Sequence, residues 1–210
     1  MVRKAKTAPV VPLVLAFDTS AAHCAAALLR GDTLLAARAE EMGRGQAERL
    51  VPMLHEMLTE AGVTFADLVA LGVGIGPGNF TGIRISVSAA RGLALALEIP
   101  AIGVSTFDAI SFAATLPHLP AVPAPRDQVY ILAKGADPAL VPMSEAHAVG
   151  LPLALPPAPA DMAVAMARIA QARLARARGA HPAPAPLYIR AADAAPARDA
   201  PPVMLPDDAD

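Results

Sequence analysis

Leu71-Gly72-Val73-Gly74-Ile75-Gly76-Pro77-Gly78-Asn79-Phe80-Thr81-Gly82-Ile83-Arg84 carries an alternating apolar strand into a glycine-dense turn and on into a long apolar helix. Glycine at 76, 78 and 82 permits φ > 0 and removes the Cβ that would hold a phosphate or a neighbouring chain at a distance. Thr81 is placed to cap the helix, and free N–H groups at a helix start favour an anion. A ligand or a partner is expected here.

Upstream, residues 13–17, 24–29 and 33–39 read as three strands, the last two joined by Arg30-Gly31-Asp32, which makes an antiparallel meander. Leu50, Met53, Leu54, Met57, Leu58 and Ala61 recur at helical spacing until Gly62, with Pro52 in the first turn or at a kink. Strand 70–75, helix 81–98, strand 101–103 and a helix from 106 to about 114 complete the order β-β-β-α-β-α-β-α. Composition then changes: 17 of the 22 prolines lie from Pro117 onward, and 11 of the 14 glycines lie at or before Gly103. The expected division is a flexible tail over 1–10, a first lobe over 11–116 and a smaller second lobe over 117–210. That second lobe offers a strand at 128–134, a helix at 161–178 and Ala/Pro-rich connections.

The chain has 210 residues, 55% of them apolar, and a formal net charge of −2. Residues 1–120 hold nine Lys/Arg against ten Asp/Glu, so no basic face large enough to hold a nucleic acid unaided is expected. The single cysteine, Cys24, excludes an internal disulfide and suits a reducing, cytoplasmic setting. Arg3, Lys4 and Lys6 before an apolar stretch imitate a secretory signal, but Pro9 and Pro12 interrupt it and Asp18 ends it without an Ala-x-Ala site. No association with a membrane is expected.

Asp18-Thr19-Ser20 ends the first strand with a carboxylate and two hydroxyls. Such a turn either holds Mg-nucleotide phosphates or folds the carboxylate onto its own N–H groups, and this motif alone leaves both readings open. The candidate anion site is Asp18, Thr19, Ser20, Gly76, Gly78, Asn79, Thr81 and Gly82. No pair among His23, His55, His118, His147 and His181 has the i, i+4 spacing of metal ligands. Ser86, Ser88 and Ser105 show no nearby His/Asp set, and Cys24 on a strand reads as a small core residue. No catalytic and no metal-binding residue is assigned. Gly76-x-Gly78-x-x-x-Gly82 also lacks the acidic partner of a dinucleotide site.

Helix 81–98 confines Arg84, Ser88, Arg91 and Glu98 to a narrow stripe. Ile83, Val87, Ala90, Ala94 and Leu97 form one apolar face, and Ile85, Ala89, Leu93 and Ala96 form another. Two apolar faces imply two buried sides, one of them against a partner. Met53 and Met57 on the preceding helix point the same way, with core packing as the plain alternative. The expected interface is Leu50, Met53, Met57, Ile85, Ala89, Leu93 and Ala96, a four-helix seam with another chain or with a second copy.

Leu15-Ala16-Phe17-Asp18-Thr19-Ser20, Arg49-Leu50-Val51-Pro52-Met53-Leu54, the run from Gly76 to Ile85, Gly92-Leu93-Ala94-Leu95 and Ile102-Gly103-Val104-Ser105-Thr106 together resemble the TsaB family. Beyond residue 115 the resemblance is limited to Arg126-Asp127-Gln128-Val129-Tyr130 and Leu187-Tyr188-Ile189-Arg190. The family usually has Ser at the place of Asn79 and often His at that of Gln46. The resemblance implies an α/β, actin-like ATPase (ribonuclease H-like) two-lobed fold with a complete first lobe and a reduced second lobe. It also implies a non-catalytic accessory subunit that binds and organises the catalytic subunit TsaD, with the TsaE ATPase, in making threonylcarbamoyladenosine on tRNA. The tRNA is then met only indirectly, no cofactor is intrinsic, and ATP/ADP and Mg enter at the level of the complex. TsaD carries a metal-binding His pair in this picture, and its lack here suits a non-catalytic role. Such ATPases close on nucleotide with a phosphate loop from each lobe, yet no aspartate of the second half is followed by x-Gly. A nucleotide-dependent phosphotransferase or glycoprotease-like hydrolase is the alternative, resting on Asp18 and the glycine turn.

Overall fold

The computed structural model describes residues 11–176, 179 and 181–189. The tail expected over 1–10, the last residues of the helix expected to reach 178, and Arg190 lie outside the described residues.

Strands β1 (Leu13–Asp18), β2 (His23–Arg30), β3 (Thr33–Glu41), β4 (Ala70–Gly74) and β5 (Ala101–Val104) form one sheet in the order β3-β2-β1-β4-β5. The β1–β2 and β2–β3 pairs are antiparallel, and β1–β4 and β4–β5 are parallel. β1 is the central strand and every one of its residues is buried, so its side chains serve two cores. Leu13, Leu15 and Phe17 face α1 (Gln46–Glu60) and α2 (Phe80–Leu97). Val14 and Ala16 face the other side. The three-strand meander expected from the sequence is in place, and β4 and β5 join it in parallel. Pro52 lies inside α1 with its ring exposed.

The other side of the sheet is covered by α5 (Pro159–Arg176), which packs on β1, β2, β4 and β5 and on α3 (Thr106–Ala113). α5 lies within the stretch 117–210 expected to form the second lobe, yet it packs into the core of the five-stranded sheet. Small residues bring it close: Ala163, Ala167 and Ala170 meet Ala16, Ala25 and Ala27. A Cβ at Gly72 would come within 2.9 Å of the Ala16 methyl and 3.0 Å of the Ala170 methyl.

What remains of the second lobe is a sheet of order β8-β7-β6-β9, from β6 (Leu119–Ala124), β7 (Gln128–Ile131), β8 (Ala139–Pro142) and β9 (Leu153–Ala154), with the short α4 (Met143–Ala148). Only the β7 region is legible as a strand in the sequence. β6 contains Pro120 and Pro123, and β9 pairs with it only at Leu119 and Pro120. Beyond that point β6 has β7 alone as neighbour, the one-sided pairing in which a strand tolerates proline.

Among the described residues α2 is long and apolar enough to cross a membrane by length and composition. In the fold, its Ile83, Val87 and Ala90 are buried against the sheet.

Candidate functional site

The loop after β1 and the turn after β4 meet where two parallel neighbouring strands end. Asn79 N–H donates to Ser20 O at 2.6 Å, and Thr19 Oγ1 donates to Gly82 O at 2.6 Å. The helix cap is Asn79, in extended conformation, with its Oδ1 accepting from Gly82 N–H at 2.9 Å; this corrects the expectation for Thr81, which stands exposed.

The glycines are explained by what faces them. A Cβ at Gly78 would strike Ser20 O, one at Gly82 would strike Thr19 O, and one at Gly74 would strike the Asp18 carboxylate. Of the turn glycines, Gly76 alone needs a positive φ, at 91°. The candidate anion residues are therefore brought together, but they face one another. Gly78 is packed on Ser20 O and Gly82 on Thr19 O, while Ser20, Gly78 and Asn79 also border open space.

Asp18 is fully buried. Its Oδ2 accepts from Ser20 N–H at 3.1 Å and Ser20 Oγ at 2.8 Å, and lies 2.9 Å from His23 Nε2. Oδ1 is buried without a hydrogen-bond partner. The carboxylate is thus folded onto its own loop, the second of the two readings open to it. Gln46 holds the same loop, its amide donating to Ala21 O at 2.7 Å. Neither His23 nor Gln46 stands out in the sequence as a loop-pinning residue; His23 lies five positions beyond Asp18 and only the hairpin turn brings it back.

Above this junction a cleft of about 680 Å³ opens between the lobes, with Ser20, His23, Asn79 and Thr106 on its floor and Val122, Tyr130 and Met162 on its walls. Thr106 Oγ1 donates to Pro77 O at 3.0 Å and fixes that floor.

Cys24 sits behind the loop, where burial, and after it the charge of Glu40, pushes its thiol up to about 11; the thiol stays protonated at neutral pH, as suits a core residue. On the outer side Arg49 joins β3 to α1, donating to Glu40 at 2.6 and 2.7 Å and to Glu56 at 2.6 and 2.7 Å. The hydrogen bonds from Arg49 hold both carboxyls below their ordinary values.

The expected partner seam is redrawn. Leu50, Met53 and Met57 are at most 1% exposed and pack in the core with Phe17 and Leu28. They sit on the inner face of α1, because its helical apolar stripe is the one the sheet needs. Ile85, Ala89 and Leu93 are half-buried at the edge of that core, and Ala96 is exposed. Ile85 and Ala89 join Val51, 42% exposed, in a shallow depression of about 380 Å³ between α1 and α2 that Arg84 and Ser88 also line, and Leu95, 82% exposed, stands further along α2.

Strand order, two-sided core and interlobe cleft together define a two-lobed α/β protein of the actin-like, ribonuclease H-like class with a reduced second lobe. A family model described as "TsaD: tRNA N6-adenosine threonylcarbamoyltransferase" matches residues 39–150, more than half of the chain. The tRNA threonylcarbamoyladenosine biosynthesis protein TsaB of Escherichia coli (strain K12) is 44% identical over 93 residues, 44% of this chain and 40% of the relative. The TsaB of Bacillus subtilis (strain 168) is 36% identical over 98 residues, 47% of this chain and 43% of the relative. The solved structure of YeaZ from Pseudomonas aeruginosa superposes with a TM-score of 0.67 at 28% identity, covering 85% of this chain and 100% of that one. The chain belongs to the TsaB family. It matches less than half the length of these curated relatives.

Proposed function

We propose that the chain takes part in tRNA threonylcarbamoyladenosine biosynthesis as a non-catalytic accessory subunit that binds and organises a TsaD-type catalytic subunit. Family membership supports the pathway. The apolar strip on α2 carries the subunit reading: Ile85 and Ala89 line a shallow depression beside Val51, and Leu95 and Ala96 stand exposed further along the same helix. A strip of that kind is stabilised when a second apolar surface removes it from water. TsaD is the proposed occupant, a second copy of the chain is the alternative on the same helices, and the TsaE ATPase joins the assembly with ATP and Mg. The Asp18 carboxylate, turned onto Ser20 of its own loop, supports a role without nucleotide chemistry of its own.

Co-purification with the TsaD of the same organism tests the reading. The wild-type chain is expected to form a stable complex, and the Leu95→Asp/Ala89→Asp variant to lose it while remaining folded. Steady-state phosphate release by the isolated chain is expected to equal the blank. Turnover of ATP abolished by Asp18→Ala would favour a phosphotransferase instead.

A further inference from the structure

The last turn of α3 carries Ser111, and the chain after the helix turns back to bring His118 against it. His118 Nδ1 lies 3.1 Å from Thr115 O, and His118 Nε2 lies 3.1 Å from Ser111 Oγ. A carbonyl oxygen only accepts, so Nδ1 carries the proton and donates it to Thr115 O. In the neutral ring Nε2 then has a free lone pair, and the Ser111 hydroxyl donates to it. A serine that donates to an imidazole held by a third group is the arrangement that activates a nucleophile, and the distance falls within the roughly 2.6–3.2 Å of such pairs.

The segment between the two residues is anchored at both ends. Ala114 N–H donates to Ile110 O at 2.9 Å and extends the helical pattern, while Leu119 N–H donates to Pro152 O at 2.9 Å where β6 begins. Leu119 itself is buried, so His118 stands between the end of a helix and the first residue of a strand, and Ser111 stays exposed. Phe112 and Leu116, 54% and 85% exposed, give the same segment an apolar outer surface. α3 packs on α5 and β6, on the side of the sheet away from α1 and α2. The pair therefore shares nothing with the strip on α2 or with the loop at Asp18.

We propose that Ser111 is a nucleophile activated by His118 and that it takes the acyl group of activated carboxylic esters with a short apolar acyl chain. The Ser111 oxygen adds to the ester carbonyl while its proton passes to His118 Nε2. The bond to the leaving oxygen then breaks, and that oxygen takes the proton from Nε2, which leaves acyl-Ser111 and the free alcohol. Water repeats both steps on the acyl-serine with the same nitrogen as base, releasing the carboxylic acid and restoring the hydroxyl. Thr115 O keeps the Nδ1–H bond throughout and holds the imidazolium while it lasts. This activity is separate from the accessory role.

Ser88 is an internal reference, an exposed serine on α2 with no histidine bonded to it among the described residues. The full chain is treated with diisopropyl fluorophosphate, whose serine adduct is stable, and labelling at Ser111 and Ser88 is followed by mass spectrometry below the melting point of every variant. Ser111 is expected to react at least about 100-fold faster, the lower end of what a positioned general base supplies. His118→Gln should bring Ser111 down to the rate of Ser88. Hydrolysis of p-nitrophenyl butyrate by the wild-type chain should exceed the blank and vanish in Ser111→Ala. Equal labelling of Ser111 and Ser88 in the wild-type chain overturns the proposal, as does ester hydrolysis that is absent from wild type or persists in Ser111→Ala. A lower melting temperature in His118→Gln with undiminished labelling of Ser111 overturns it too, and would leave His118 as a pin for the loop after α3.

Discussion

A methyl group added at position 82 would enter the carbonyl oxygen of Thr19, whereas one added at position 92, ten residues along the same helix, would meet nothing within 4 Å. Backbone cannot move aside as a flexible side chain can, so Gly82→Ala is expected to destabilise by about 1–3 kcal/mol. Gly92→Ala gains helix propensity and is expected to stabilise by up to about 1 kcal/mol. In a chain of this size that is a fall of roughly 2–12 °C against a rise of roughly 2–4 °C in thermal melts. Melting temperatures that moved in the same direction would contradict the packing of the 18–20 loop against the turn. The need for close approach at 76–82 is legible in the sequence, because a missing Cβ is written there. What approaches is not: Thr19 and Gly82 are 63 residues apart, and no local pattern says that the space belongs to the chain's own loop. The same ambiguity put the cap at Thr81, since either that residue or Asn79 can accept a helix N–H.

Periodicity identifies a helix face without saying what lies across from it. Met53 and Leu95 show the difference: the first is fully buried, the second 82% exposed. Met53→Asp places an unpaired carboxylate among Phe17, Leu28 and Leu54, a cost of several kcal/mol that should leave no folded chain at 37 °C. Leu95→Asp should shift stability by no more than about 0.5 kcal/mol and act on association alone. Comparison of circular dichroism melts with size-exclusion profiles separates the two. The tie between α3 and α5 adds a pH dependence. Burial raises the Asp108 carboxyl, but the Arg173 guanidinium at 2.9 Å and the Ser105 hydroxyl outweigh it and hold the group below its ordinary value. A carboxyl lowered in the folded state contributes stability above its unfolded value of about 3.9, and that contribution fades as the pH falls through the folded one. The stability gap between wild type and Arg173→Gln should accordingly be largest near pH 6 and shrink towards pH 3 in urea titrations. A gap independent of pH would mean that Arg173 acts through its bond to Gly103 O rather than through Asp108.

At the scale of the whole molecule, α5 decides which residues fold together. The unbroken apolar run from Leu13 to Phe17 makes a two-sided strand legible in the sequence, and a strand buried on both faces demands two layers of helix. Between residues 11 and 116 the chain supplies only α1 and α2 on one face and α3 at the edge of the other. The missing layer comes after the proline-rich lobe, on an alanine-rich helix whose composition resembles the connections around it, which is why linear order assigned it to the second lobe. Without α5, Val14, Ala16, Ala25, Ala27, Leu29 and Ala70 would face water, and Met162 and Met166 would lose burial worth about 1.5–3 kcal/mol each. Those two side chains alone approach half the stability of an ordinary domain. A fragment of residues 11–116 is therefore expected to be insoluble or to lack a cooperative melt, and a synthetic peptide of residues 157–176 added during refolding should restore the transition. Dispersed amide resonances and a sharp melt from the 11–116 fragment by itself would show that the first lobe is complete before α5 arrives, with its boundary where the composition changes.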